Sequence, residues 1–245
     1  MYKLTFAIVF SIISHSTFAQ TPQSTSDVYN AEWRASYFKN SKNGIGIYTG
    51  QEMVFPNNAR KFSNNPTYIP TAVDFFEHLI DYTNTNSCIP KITFAGHGWS
   101  NPEGGGGLPM GNAGAGLYTN LDDKRIYGDY SGFAIFRSSR ARTLRDFERL
   151  VRRKQIKFCD RCLVQIHACN IEEEFGLRFA KASGCQVITS AGKTIPVDTR
   201  DGSLDHVWIS TDDESDSYSG FYRFTPTPDR RSVITERIGI NYTAQ

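Results

Sequence analysis

Between residues 90 and 190 short apolar, β-prone runs alternate with stretches of helical period, and few folds accept that order. Lys91-Ile-Thr-Phe-Ala95, Leu163-Val-Gln-Ile166 and Gln186-Val-Ile-Thr-Ser190 read as strands. Residues 71–84 set Ala72, Phe76, Leu79, Ile80 and Thr83 at helical spacing. Thr143 reads as the N-cap of a helix that turns Leu144, Phe147, Leu150 and Val151 to one side. Residues 172–183 place Phe175, Phe179 and Ala182 inward and stop at Gly184. Strands separated by helices must return by crossovers, which predicts a parallel sheet. Further strands are expected at 44–49 and 133–136, with loops over 57–70 and over the glycine-rich 101–116. Beyond Pro196 the pattern changes to short strands at 206–210, 221–225 and 232–240, which predicts an antiparallel edge.

The chain has 245 residues, 39% of them hydrophobic, which is enough to bury a core and excludes a disordered polymer. With no internal repeat and no linker, residues 44–245 read as one α/β domain behind a loose lead-in at 20–43. Lys and Arg number 27 against 25 Asp and Glu, and this balance argues against a dedicated nucleic-acid partner. Residues 1–19 read as a signal peptide. Lys3 opens it, the apolar stretch 4–13 is broken only by Thr5 and Ser11, and Thr17 and Ala19 are the small residues of a cleavage site. The stretch is far shorter than the about 20 residues that span a bilayer. The expectation is a secreted or periplasmic protein, with no stable membrane insertion after cleavage. That setting permits disulfides, and the cysteines number five, so pairing leaves one over.

Two of the expected strands end in reactive residues. One runs Ile92-Thr-Phe-Ala-Gly-His97-Gly98, the other Leu163-Val-Gln-Ile-His-Ala-Cys169-Asn170. Sites in parallel sheets form at the carboxyl ends of strands, so neighbouring strands would bring His97 to Cys169. A thiol of ordinary pKa is only a few per cent thiolate at neutral pH, and an imidazole can take its proton or stabilise the thiolate. Gly98 lets a substrate backbone approach, and its N–H with that of Cys169 would make an oxyanion hole. The helix expected after Cys169 would add a favourable dipole.

The stretches ITFAGHG, VQIHACN and FGLRFAKASGCQVITSAG resemble the caspase-like cysteine peptidases. They look nearest to the cysteine protease domains of large bacterial toxins and to a related domain of large bacterial adhesins. The similarity spans roughly residues 90–200. It implies a caspase-like three-layer α/β fold: a mainly parallel sheet flanked by helices, with a β-rich C-terminal edge. It also implies hydrolysis of peptide bonds in a protein or peptide substrate, with Cys169 as nucleophile, His97 as general base and no cofactor. The caspase pattern of Gln before Ala-Cys is absent, since His167 stands there.

Other residues have roles to be weighed beside these. His167 lies on the same strand face as Cys169, where it would line the substrate pocket or replace His97. Asp198 and Asp201, in the polar stretch 190–201, would select a basic side chain or simply make turns. His78 and His206 read as structural. Cys88, Cys159, Cys162 and Cys185 can pair in three ways, and Cys185 alone among them fits a buried thiol. Cys159-Asp-Arg-Cys162 would otherwise be a redox pair, giving a thiol–disulfide oxidoreductase, or half a zinc site. A non-enzymatic adhesion or binding module of the same fold is the main alternative to a peptidase. The acidic run Asp212-Asp-Glu-Ser-Asp216 lacks calcium-loop spacing, so no metal is expected. The toxin domains bind inositol hexakisphosphate through Lys and Arg clusters. Here residues 137–161 carry ten Lys and Arg against three acids, which reads as the solvated face of a helix.

Overall fold

The computed structural model describes Ala59, residues 44–50, 63, 65–100, 106–111, 113–120, 125–127, 134–136, 138–171, 173–192, 194–196, 206–209, 220–239 and 241–243. All belong to one compact unit, 40–245. The expected signal peptide and lead-in, Asp198, Asp201 and the acidic run 212–216 lie outside the described residues.

A seven-stranded sheet organises the unit. Its strands are β1 (Ile45–Tyr48), β2 (Thr67–Tyr68), β3 (Ile89–Ala95), β4 (Phe158–His167), β5 (Gln186–Ala191), β6 (Gly220–Pro226) and β7 (Val233–Gly239). The order across the sheet is β2-β1-β3-β4-β5-β6-β7. The first five are parallel, and β6 and β7 are antiparallel additions at one edge. Three helices, α1 (Ala72–Asn86), α2 (Leu144–Arg152) and α3 (Glu173–Ser183), precede β3, β4 and β5. The protein is thus mixed α/β with a mostly parallel sheet and an antiparallel C-terminal edge, as the alternation predicts. β2, inside the expected 57–70 loop, is a two-residue strand too short to leave a periodic signal.

The helices form for visible reasons. Thr71 caps α1 by accepting from the Asp74 N–H. Thr143 caps α2 in a complete capping box, since its own N–H donates to the Asp146 carboxylate. Each β-α-β step moves the same way along the sheet, and right-handed crossovers then put all three helices on one face. One core cluster accordingly joins Phe75, Phe147, Phe175 and Phe179 of the helices to Ile47, Phe94, Ile166 and Val187 of the strands. Phe147 and Phe179 stack with centroids 4.5 Å apart, locking α2 to α3. Each such fully buried ring contributes on the order of 2–3 kcal/mol.

The alternate residues of the same strands face the other way and mix polar side chains with Leu163, Ile188 and Phe221. Lys91 and Thr93 of β3, Gln165 and His167 of β4, Gln186 of β5 and Arg223 of β6 are all buried. None of the three helices packs on that face.

Short strands stand in parts of the expected loop between β3 and α2. Trp99–Ser100, Gly106–Leu108, Leu117–Tyr118 and Arg142–Thr143 form a small four-stranded sheet. Arg125–Tyr127 pairs with Ala134–Phe136. Near the C-terminus Thr194–Pro196, His206–Ile209 and Asn241–Thr243 make a three-stranded sheet. Among the described residues no helix is long and apolar enough to cross a membrane.

β4 departs most from expectation, because it starts at Phe158 and includes the CDRC segment. Phe158 pairs with Ile89 and Leu163 with Lys91, so β4 advances five residues while β3 advances two. The excess is a bulge, with Arg161 at φ 60°. The bulge sends its two cysteines to different neighbours. Cys159 bridges to Cys88 ahead of β3, and Cys162 bridges to Cys185 ahead of β5. Cys185 is therefore half of a buried disulfide and not a buried thiol. Cys159 and Cys162 are not bonded to each other.

Candidate active site

The ladder between β3 and β4 runs through the pair Ala95–His167. The Gly96 N–H donates to the His167 carbonyl at 3.2 Å and carries it one step further. Two positions past the last pair stand His97 on one chain and Cys169 on the other. Parallel neighbours lie about 4.8 Å apart. Beyond that point the chains stay close. A Cβ built on Gly98 would lie 1.8 Å from the Cys169 carbonyl oxygen and 2.8 Å from Cδ1 of Ile171. His97 and Cys169 are both half-buried. Cys169 stands in neither disulfide, so it is the cysteine left over by the odd count.

Each tip is pinned by its neighbours. Ala168, just ahead of the cysteine, is fully buried, and its carbonyl accepts from the Ser190 hydroxyl at the end of β5. The Asn170 N–H donates to the Gly192 carbonyl at 2.8 Å, and the Ile171 N–H to the Ser190 carbonyl at 2.8 Å. Asn170 takes φ 48°, a conformation that asparagine tolerates better than most residues. On the His97 side, the Thr49 N–H donates to the Ala95 carbonyl at 3.2 Å. A Cβ on Gly96 would meet Thr49 Oγ1 at 2.2 Å. The Thr49 hydroxyl in turn donates to the Pro109 carbonyl at 3.3 Å, which ties the glycine-rich segment to the tip of β1.

The far side of that segment is held to α3. The Gly106 N–H donates to Thr119 Oγ1 at 2.6 Å, and Arg178 donates to the Thr119 carbonyl at 3.1 Å. Arg178 also lies 3.7 Å from Glu174 and 3.9 Å from Glu148.

His167 is a different kind of residue from His97. It is buried at 9% exposure, and burial together with the charge of Lys91 pushes its pKa down to about 3. An imidazole so weakly basic is poorly suited to replace His97 as the general base. Burial also lowers Lys91, to about 8. His78, on α1, is lowered by its own burial, an effect that Asp81 partly offsets.

The helix dipole expected to favour a Cys169 thiolate is not close at hand. α3 begins at Glu173, four residues on, and its first turn already carries Glu173 and Glu174. A dipole effect fades within a turn, and these carboxylates offset it further. His206 opens the strand His206–Ile209, whose side chains are not described.

The chain thus brings together His97, Gly98 and Cys169, and sets Cys88, Cys159, Cys162 and Cys185 at the opposite ends of the strands. Residue patterns alone missed Thr49, Ser190 and Asn170, which hold the tips. Thr49 and Ser190 each end an expected strand, and a polar residue at a strand terminus was the available signal. Comparison with protein-family models, with curated proteins and with solved structures finds no match.

Proposed function

We propose that the protein is an exported cysteine endopeptidase of caspase-like architecture, although its three described helices lie on one face of the sheet and not on both as a three-layer fold requires. The observation that carries this reading is the contact at Gly98, which sets the His97 loop against the backbone of Cys169, the thiol outside both disulfides. His97 takes the Cys169 proton. The thiolate adds to a peptide carbonyl, whose oxyanion is met by the N–H groups of Gly98 and Cys169. Collapse releases the amine, which takes the proton from His97. Water then adds to the thioester with His97 again as base, and the carboxylic acid leaves. Two disulfides support an oxidising compartment. The separate bridging of Cys159 and Cys162 weighs against an oxidoreductase, because a CxxC redox pair bonds internally.

The test is cleavage of a peptide library by wild type, Cys169→Ala and His97→Ala, with labelling by a thiol-reactive peptide. The expected result is cleavage and Cys169 labelling in the wild type, no cleavage in Cys169→Ala, and strongly reduced labelling in His97→Ala. Cleavage that survives both substitutions removes the assignment. A folded wild type that neither cleaves nor labels favours the non-enzymatic binding module.

A further inference from the structure

Three segments distant in sequence bring cations to one end of the sheet, the end opposite Cys169. α2 and α3 lead into β4 and β5, so their C-termini lie where those strands begin. β6 runs antiparallel to β5 and finishes at the same end, where the Gln186 amide donates to the Thr225 hydroxyl at 3.0 Å. The connection from α2 into β4 presents Arg152, Arg153, Lys154, Lys157 and Arg161, all exposed. Lys181, in the last turn of α3, and Arg230 and Arg231, in the turn between β6 and β7, add three more. The segments meet physically, since a Cβ on Gly184 would lie 2.4 Å from the Arg230 guanidinium carbon.

Little among the described residues neutralises this end. Asp229 is engaged by the Thr227 hydroxyl at 2.7 Å and by Arg231 at 3.6 Å. Asp160 is the other acid within these segments. Arg152, Arg153, Lys154, Lys157, Arg161, Lys181 and Arg230 enter no ion pair with a described residue. Cations at helix C-termini favour the dipole, but that accounts only for those in or beside the last turns. Beside the patch, on β7, Ile234 is 52% exposed and is the one exposed large hydrophobic residue among the described residues.

We propose that this end of the molecule docks on an anionic lipid bilayer, with the cations against the headgroups and Ile234 in the interfacial layer. The choice of a bilayer rests on form and chemistry. The cations come from three segments and spread over the end of several strands and two helices. No exposed aromatic among the described residues is there to stack on bases, as single-stranded nucleic acid would require. An aliphatic side chain beside a basic surface suits a headgroup layer. The contact is peripheral, consistent with the lack of a spanning helix among the described residues, and it leaves the His97–Cys169 end facing away from the membrane. The inference does not depend on the peptidase reading.

Vesicle co-sedimentation of the full chain tests it, with phosphatidylcholine alone against phosphatidylcholine mixed with phosphatidylglycerol, at low and high salt. Binding is expected only to the mixed vesicles and should weaken with salt. Each cation near an anionic surface contributes about fivefold in affinity, so R153Q/K154Q/K157Q should weaken binding about a hundredfold. K181Q/R230Q, from the other two segments, should weaken it about twenty-five-fold on the same basis. Arg145→Gln, at the other end of α2, should leave it unchanged. Circular dichroism is used to check that each variant is folded. Equal binding to both vesicle types overturns the proposal, as does full binding by both multiple variants. Retention of the chain by duplex DNA or heparin without binding to the mixed vesicles overturns it as well.

Discussion

At position 98 a glycine is demanded by space. Gly98 is not among the residues of positive φ, but any side chain there would run into the Cys169 carbonyl. Gly98→Ala must push apart two backbones that hydrogen bonds hold on either side. Overpacking of this kind costs about 1–3 kcal/mol, to be read from urea unfolding, and should slow alkylation of Cys169 more than it alters the far end of the sheet. His167 supplies a second prediction at this scale. The folded protein keeps its imidazole neutral down to about pH 3, whereas the unfolded chain protonates it below its ordinary value of 6.5. Stability is therefore complete above pH 6.5 and falls as the pH drops from 6.5 towards 3, by up to about 1.4 kcal/mol per pH unit. His78 is shifted in the same direction and adds to the slope. Urea midpoints measured across that range should fall for the wild type and flatten in His167→Gln.

Among the elements, those whose cause is local could be read from residues alone. Thr143 with Asp146 three positions on announces α2, and the structure completes the reciprocal bonds. Thr143→Ala should cost about 1 kcal/mol in denaturant unfolding, and a Thr143→Ser variant should recover most of it. The strand ends carrying His97 and Cys169 were legible for the same reason, since apolar alternation marks β3 and β4 and small residues mark where each stops. The bulge in β4 was not. Cys159-Asp-Arg-Cys162 can be read as a redox pair or half a zinc site because nothing local says that a strand continues through it. Its conformation follows from two partners, Cys88 and Cys185, at sequence separations of 71 and 23 residues. The buried polar residues of the other face were half visible. Lys91 and Thr93 alternate with Ile92 and Phe94, and Gln165 and His167 with Val164 and Ile166, but only the sheet order places these residues on one surface. The glycine-rich segment was opaque, because its order comes from Thr49, Thr119 and Arg178, which lie elsewhere in the chain.

Taken whole, the sheet of the unit 40–245 has two unlike ends. At one, two bridges join three adjacent strands; at the other, hydrogen-bonded tips carry the candidate nucleophile and base. The bridges differ in access, since Cys88 and Cys159 are half-buried while Cys162 and Cys185 are buried. Under graded dithiothreitol without denaturant, alkylation and mass spectrometry should find Cys88 and Cys159 modified first. Cys162 and Cys185 should follow only as the chain unfolds. Closure of the longer loop also implies that C88A/C159A loses about 4 kcal/mol in the chain-entropy model, measurable as a lowered urea midpoint.

The bridging of β3 to β4 and of β4 to β5 has a further consequence. A strand that slips by one residue turns every side chain to the opposite face. Such a slip between β3 and β4 would carry His97 out of step with Cys169 even if every strand stayed intact. The Cys88–Cys159 and Cys162–Cys185 bonds act as index pins. Set at the starts of the strands, they fix the phase in which the strands arrive at their ends. The alignment of the two reactive residues is thus held covalently from the far side of the sheet, which leaves the loops that carry them free of any cross-link of their own.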